Sequence, residues 1–413
     1  MSQTQSQRRG WLDRWNGLPL YLRIVVAVLA AIPTGLLLGE RALFFEIPAR
    51  IILQLLGALA PPLILVAVVQ VLLTTELRGR TVPRLAALLF TNTLVAILIG
   101  LLVANVARPG TWSDLETPST PNEQGSGSLV ELIVENVPKS VLGPLGDRQN
   151  IIGVIIIAIA VGLALRKLRD KPITSVQDLV ELVYGALLVI LHWLIALVPL
   201  GVFAVVTKVI GVEGFAPLLA LGAFVLSVLA ALALQLGWYL VRIRLASPFR
   251  PLAVLRGMRD ALFMAFSTDS STATMPVTYA CLKDEVGVRE EAASLGALVG
   301  ANFNNDGTAL YEAMSALFVA QLVGLDLSFS DQLVVVVTAI VASVGAAGIP
   351  EAGLVTMTLV FAAVGLPTEY IALLLTVDWF LDRCRTTINV MGDVNVACLL
   401  DAGSRSKADP NMH

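Results

Sequence analysis

The chain has 413 residues, of which 56% are hydrophobic and only 14% charged, with a mean hydropathy of +0.81; a soluble domain carries about 25% charged residues, so this is the composition of a polytopic membrane protein. The net charge of −3 and isoelectric point near 5.6 exclude the clustered basic surface that nucleic-acid binding requires, and no nucleic-acid partner is expected. Cys281, Cys384 and Cys398 fall in or near apolar segments, which argues against a disulfide scaffold, and His192 and His413 form no ligand cluster for zinc-protease chemistry.

In chain order, the polar stretch over 1–15, with Arg8, Arg9 and Arg14, precedes an apolar run over 18–39. That run is longer than a signal-peptide core and no small-residue cleavage site follows it, so it reads as the first spanning helix, with a cytoplasmic N-terminus. A second run, 51–73, leads to Arg78, Arg80 and Arg84; a third, 85–107, leads to a Gly-, Ser-, Pro- and acid-rich segment over 108–136. Basic loops are inside and acidic ones outside. The next run, broken at Pro144 and Gly146, ends in Arg166, Lys167, Arg169 and Lys171. Two more spans follow, 176–210, interrupted by Pro199, and 217–242, which returns to Arg242, Arg244, Arg250, Arg256 and Arg259.

Beyond residue 255 plain spans give way to broken ones. Ser267, Thr268, Asp269, Ser270, Ser271, Thr272, Thr274 and Thr278 lie between apolar arms too short to cross, which predicts a re-entrant hairpin with a polar tip. The span over 288–323 is interrupted by Gly300, Asn302, Asn304, Asn305, Asp306, Gly307 and Thr308, residues that unwind a helix and free carbonyl oxygens suited to a hard cation such as sodium. A second hairpin is predicted where Ser343 to Gly353 cuts the run 333–366, and it enters from the opposite side. Two broken segments of opposed entry, each followed by a polar span, form an inverted-repeat pattern with a midplane site.

The last run, 371–400, contains Asp378, Asp382, Arg383, Arg385, Asn389 and Asp393. On a helix, all but Arg383 share one face. A charge at the bilayer centre costs about 2.5–3.5 kcal/mol, so this face looks into protein or a watery cavity and marks a site for ions or charged solute.

The series Ser270-Ser-Thr-Ala-Thr-Met-Pro276, Asn304-Asn-Asp-Gly-Thr308-Ala-Leu-Tyr-Glu312, Ala347-Gly-Ile-Pro350 and Asp382-Arg-Cys-Arg385-Thr-Thr-Ile-Asn389-Val-Met-Gly-Asp393 resembles the glutamate/neutral amino acid transporter family, the dicarboxylate/amino acid:cation symporters. The resemblance is carried by residues 255–400. It implies an all-α polytopic fold of eight transmembrane helices plus two re-entrant hairpins, arranged as inverted repeats in an elevator-type homotrimer. A scaffold would occupy 1–84 and the part of 108–212 that follows the extracellular loop. The transport domain would take 85–107 and 213–402, and residues 403–413 would form a cytoplasmic tail.

The resemblance further implies that Asp382 accepts a substrate ammonium and Arg385 a side-chain carboxylate, and charge complementarity agrees with both. Thr386, Asn389, Thr308, Ser270, Ser271, Asp269, Ile349 and Gly353 would complete the cage. Family members for neutral amino acids lack this arginine, and those for plain dicarboxylates lack the aspartate. Aspartate or glutamate is the implied substrate, with a neutral amino acid or C4-dicarboxylate as the competing reading. Sodium and/or protons are the implied coupling ions, with no organic cofactor. One sodium site matches at Gly300, Asn304, Asn389 and Asp393. A second includes Asn302 and Ser343, but has Asn305 where the family has Met. A third includes Asn92, Thr93 and Asp306, but has Leu89 where the family has Tyr. Glu312 resembles the family's proton carrier.

Asp269 stands where the family has Ser or Arg, and it is expected to pair with Arg383 and hold the first hairpin shut. Glu351 is a further departure. Outside the symporter class, an anion channel is the remaining reading. An intramembrane aspartyl protease built on Asp306 with Asp382 or Asp393 would need neither Arg385 nor the hairpins.

Overall fold

The computed structural model describes residues 20–45, 82–112, 174–212, 214–345 and 352–408, with scattered positions at 18, 47–48, 52, 65–66, 69, 73, 154–155 and 158–159. The described residues are helical throughout, with no strand among them. The second and fourth expected spans, the acidic loop and the tip of the second hairpin, with Ile349 and Glu351, fall largely or wholly outside them.

Helices α1 (Leu20–Leu38), α2 (Val82–Ala107), α3 (Thr174–Val212) and α4 (Ala216–Ala246) account for the plain apolar runs. Among the described residues, four stretches, Leu22–Phe45, Pro83–Trp112, Ile195–Val212 and Ala216–Ala246, are long and apolar enough to cross a membrane. On α4 the exposed side carries Leu219, Leu226, Leu234, Val241 and Leu245, one or two turns apart, while Ala220, Phe224, Ala231, Tyr239 and Ile243 are buried. That is a lipid-facing stripe opposite a packed one. The expected interruption at Pro199 is not seen: α3 runs through it as one helix. A membrane helix tolerates the lost hydrogen bond where neighbours re-satisfy the freed carbonyl.

The first hairpin is built from α5 (Pro251–Gly257), α6 (Arg259–Thr268) and α7 (Ser271–Ala280), followed by a π-helical turn over Cys281–Val286. Its tip is only Asp269–Ser270 and not the longer polar stretch expected. Asp269 takes the left-handed conformation (φ 58°) that ends α6, and the Ser270 hydroxyl caps α7 by accepting from the Ala273 amide at 3.1 Å. The Thr274 and Thr278 hydroxyls donate back to the carbonyls of Ser270 (2.8 Å) and Thr274 (3.2 Å). Those bonds satisfy the hydroxyls inside the helix, which is why a Ser/Thr-rich segment stays helical.

The seventh expected span is broken as its Asn-rich centre predicts. After α8 (Glu290–Ser294) and a π-helical turn (Leu295–Val299) comes α9 (Gly300–Phe303); the chain then leaves helical geometry at Asn304 (ψ 66°) and Asn305 (ψ 51°) and resumes as α10 (Asp306–Leu322). α11 (Phe329–Gly345) starts with a reciprocal cap between Ser328 and Asp331. It pairs with α12 (Ala352–Ala363), the two arms of the second hairpin, and α13 (Ile371–Ala408) closes the chain.

Two apolar cores result. The smaller joins α1 and α3 with Ile52 and reaches Ala372, Leu375 and Trp379 of α13 and Leu218 of α4. The larger joins α2, α4, both hairpins, α8, α10 and α13, and also takes in Val69, Ile155 and Ala158. At its C-terminal end α13 is tied by Arg289, which donates to the Asp401 carboxylate at 2.7 Å and to its carbonyl at 2.8 Å, and by Arg84, which donates to the Leu399 carbonyl at 2.9 Å.

Candidate functional site

Asp378, Asp382, Arg385, Asn389 and Asp393 are all buried along one face of α13, as their spacing predicts. Arg385 is fully buried. Its Nη1 lies 3.0 Å from Asp378 Oδ1 and its Nη2 lies 2.5 Å from Asp382 Oδ1, while the guanidinium stacks 4.0 Å from the centre of the Tyr311 ring on α10. These ion pairs are close but not aligned as hydrogen bonds. Nε, Nη1 and Nη2 have no hydrogen-bond partner among the described residues. Breaking such a pair inside a protein costs about 3–5 kcal/mol, so the cluster holds its members firmly.

Both hairpins reach this cluster. From α12, Gly353 lies so near that a Cβ there would sit 3.4 Å from both terminal nitrogens of Arg385. At the tip of the first hairpin, Asp269 accepts from the Thr386 hydroxyl at 3.3 Å. Ser271 is buried two positions on. Thr308 is buried on α10, 3.5 Å from the Asn389 amide nitrogen, and Gly307 accepts no substitution because a Cβ would meet the Arg385 carbonyl at 2.7 Å. One guanidinium among three carboxylates leaves surplus negative charge beside an array of N–H donors. Such a site suits a molecule carrying both an ammonium and a carboxylate.

The expected Asp269–Arg383 pair does not form. Arg383 instead donates to the carbonyls of Phe266 (2.9 Å) and Ser267 (2.7 Å) at the end of α6. Those carbonyls are the unpaired, negative end of the helix, and the arginine reaches them from α13 and braces the first hairpin from there.

Two more buried carboxylates flank the α9–α10 break. Asp393 lies against Gly300, where any Cβ would collide with its carboxylate, and Asp393 Oδ1 and Asn304 Oδ1 are both buried without a hydrogen-bond partner among the described residues. Asn304 donates to the Asn389 carbonyl at 3.3 Å, and the Asn389 side chain accepts from the Gly307 amide at 2.7 Å. Unpartnered acceptors beside backbone carbonyls at a helix break form an oxygen-lined pocket that fits a hard monovalent cation.

Asp306 is equally buried, but its oxygens are engaged: Thr93 donates to Oδ1 at 2.7 Å and Tyr239 donates to Oδ2. Asn92 accepts from Arg242 through its side chain and from Gln235 through its carbonyl at 3.3 Å. At the second expected sodium site Asn305 donates to the Ser343 carbonyl at 3.0 Å, and the Asn302 amide turns back to the Leu298 carbonyl at 3.0 Å. Glu312, fully buried on α10, accepts from Thr356 of α12, and its other oxygen has no partner among the described residues.

Sequence reading missed Tyr311, Tyr239, Arg242 and Gln235. The last three carried a signal: positions 235, 239 and 242 form a polar stripe, one turn apart, on an otherwise apolar helix.

A helical protein with lipid-length apolar segments, and with charges gathered where two hairpins and a broken helix meet, has the architecture of a membrane transporter. The chain belongs to the sodium:dicarboxylate symporter family, whose sequence profile matches residues 20–402. It is 31% identical to excitatory amino acid transporter 3 of Oryctolagus cuniculus over 91% of this chain and 83% of that protein. It is also 31% identical to the Homo sapiens protein of that name (90% and 83%) and to an excitatory amino acid transporter of Caenorhabditis elegans (98% and 90%).

Proposed function

We propose that the chain is a secondary active symporter of acidic amino acids, aspartate or glutamate, across the cell membrane, driven by sodium and/or protons, with both termini cytoplasmic. The observation that carries this reading is Arg385, buried between Asp378 and Asp382 with its N–H donors open and both hairpins beside it. A substrate carboxylate takes those donors, and the ammonium takes the released carboxylate of Asp382. Thr308, Thr386, Asn389, Ser270, Ser271 and Gly353 line the space, and Asp269 adds negative charge on the ammonium side. The relatives named for excitatory amino acid transport support the substrate class.

Sodium is assigned to the pocket of Asp393, Asn304, Asn389 and Gly300, which supplies open oxygens. Glu312 is the carrier for any coupled proton. The two apolar cores support a division into a scaffold containing α1 and α3 and a transport domain containing α2, α4, both hairpins, α10 and α13, sliding as an elevator in a homotrimer. Uptake of labelled aspartate into proteoliposomes, with sodium and pH gradients imposed separately, tests the reading. Accumulation should follow at least one gradient and vanish in Arg385→Ala. Equal uptake with both gradients collapsed, or accumulation of neutral amino acids in preference to aspartate, would overturn it.

A further inference from the structure

The pocket around Asp306 differs from the one around Asp393 in that both oxygens of its carboxylate already accept a hydrogen bond. A buried carboxylate needs donors or a countercharge. Here both kinds come from the chain. Thr93 on α2 and Tyr239 on α4 each give a hydroxyl to one oxygen of Asp306. The neighbouring neutral acceptor, the Asn92 side chain, is taken by the guanidinium of Arg242, which also lies 5.8 Å over the Trp238 ring. Gln235 bonds the Asn92 carbonyl at 3.3 Å, so positions 235 and 242 of α4 lock onto Asn92 of α2, and position 239 locks onto the first residue of α10. Leu89, one turn before Thr93, contributes no side-chain oxygen. A hard cation binds through oxygen lone pairs; here the Asp306 carboxylate and the Asn92 side chain are already taken by donors, one of them a fixed positive charge, and Gln235 Oε1 is a buried acceptor left without a partner among the described residues.

We propose that Arg242 is the resident countercharge of the Asp306 pocket, taking the place of a transported cation and thereby setting the number of ions coupled to each substrate. The proposal rests on the symport reading above. With Arg242 and Asp306 on elements of the same core, their charges cancel and travel together, so the cycle carries no ion there. Without Arg242, Asp306 takes up a sodium ion or a proton with the substrate on one side and releases it on the other.

The test is the charge moved per labelled aspartate, read from the reversal potential in proteoliposomes, for the natural protein, Arg242→Met and Arg242→Lys. Because potential couples to charge as zFΔψ, Arg242→Met should raise the ratio by about one elementary charge, while Arg242→Lys keeps the natural ratio. Arg242→Met transporting at the natural ratio, or Arg242→Lys shifting it equally, would overturn the proposal. If Arg242→Met alone does not transport, the double variant Arg242→Met/Asp306→Asn, which removes both charges, should recover transport at the natural ratio; failure to recover would count against the proposal. Uptake by the natural protein that no cation gradient drives would instead remove the symport reading beneath it.

Discussion

Asp393 and Asp306 lie on opposite sides of the same helix break, both buried, yet the chain treats them differently. Beside Asp393, Gly300 leaves space and the Asn304 and Asp393 oxygens stay open. Beside Asp306, two hydroxyls take the carboxylate oxygens, while an amide and a guanidinium take the neighbouring oxygens of Asn92. The lesson is that burial of a carboxylate does not mark an ion site; the donors facing it decide whether an ion has anything to bind.

Removing the closed carboxylate should have the largest effect. Asp306→Asn removes the charged acceptor of the Thr93 and Tyr239 hydroxyls, two bonds of about 1.5–3 kcal/mol each, and should destabilise the protein by about 3–5 kcal/mol in denaturant or thermal unfolding. The sodium dependence of substrate binding in the folded fraction should be unchanged, and a sodium requirement that disappears would erase the contrast. Asp393→Asn should do the reverse, with near-natural stability but an apparent sodium affinity weaker by about 100-fold, roughly 2.7 kcal/mol, in sodium titrations of substrate binding. Tyr239→Phe leaves one Asp306 oxygen without its donor and should cost about 1–3 kcal/mol of stability with ion coupling intact. The smallest effect is expected from Arg383→Ala, which removes the brace on the α6 carbonyls. About 0.3–1 kcal/mol should be lost, and faster proteolysis within the first hairpin would report it.

Much of this was legible in the sequence. The alternation of basic and acidic loops, the one-faced stripe on α13, the Asn-rich break and the two hairpins all follow from hydropathy and helical spacing, and the structure brings Asp382, Arg385, Asn389, Thr308 and Gly353 together. What spacing cannot supply is the partner across a packing interface. Arg383 was expected at Asp269 because opposite charges attract, but the helix end at Phe266 and Ser267 offered it two carbonyls. Tyr239 and Arg242 read as the end of a span because nothing local says that α4 crosses α2 at Asn92. The polar run after Ser270 read as part of the hairpin tip because its hydroxyls count as hydrophilic until their bonds to the preceding turn are seen.

The contrast between the two carboxylates is tested most directly by one sodium titration. Aspartate binding to the purified protein in detergent would be measured against sodium concentration, with choline as the replacing ion, for the natural chain, Asp393→Asn and Asp306→Asn. The expected result is a large shift to higher sodium in Asp393→Asn alone. A shift in Asp306→Asn with Asp393→Asn unchanged would contradict the account.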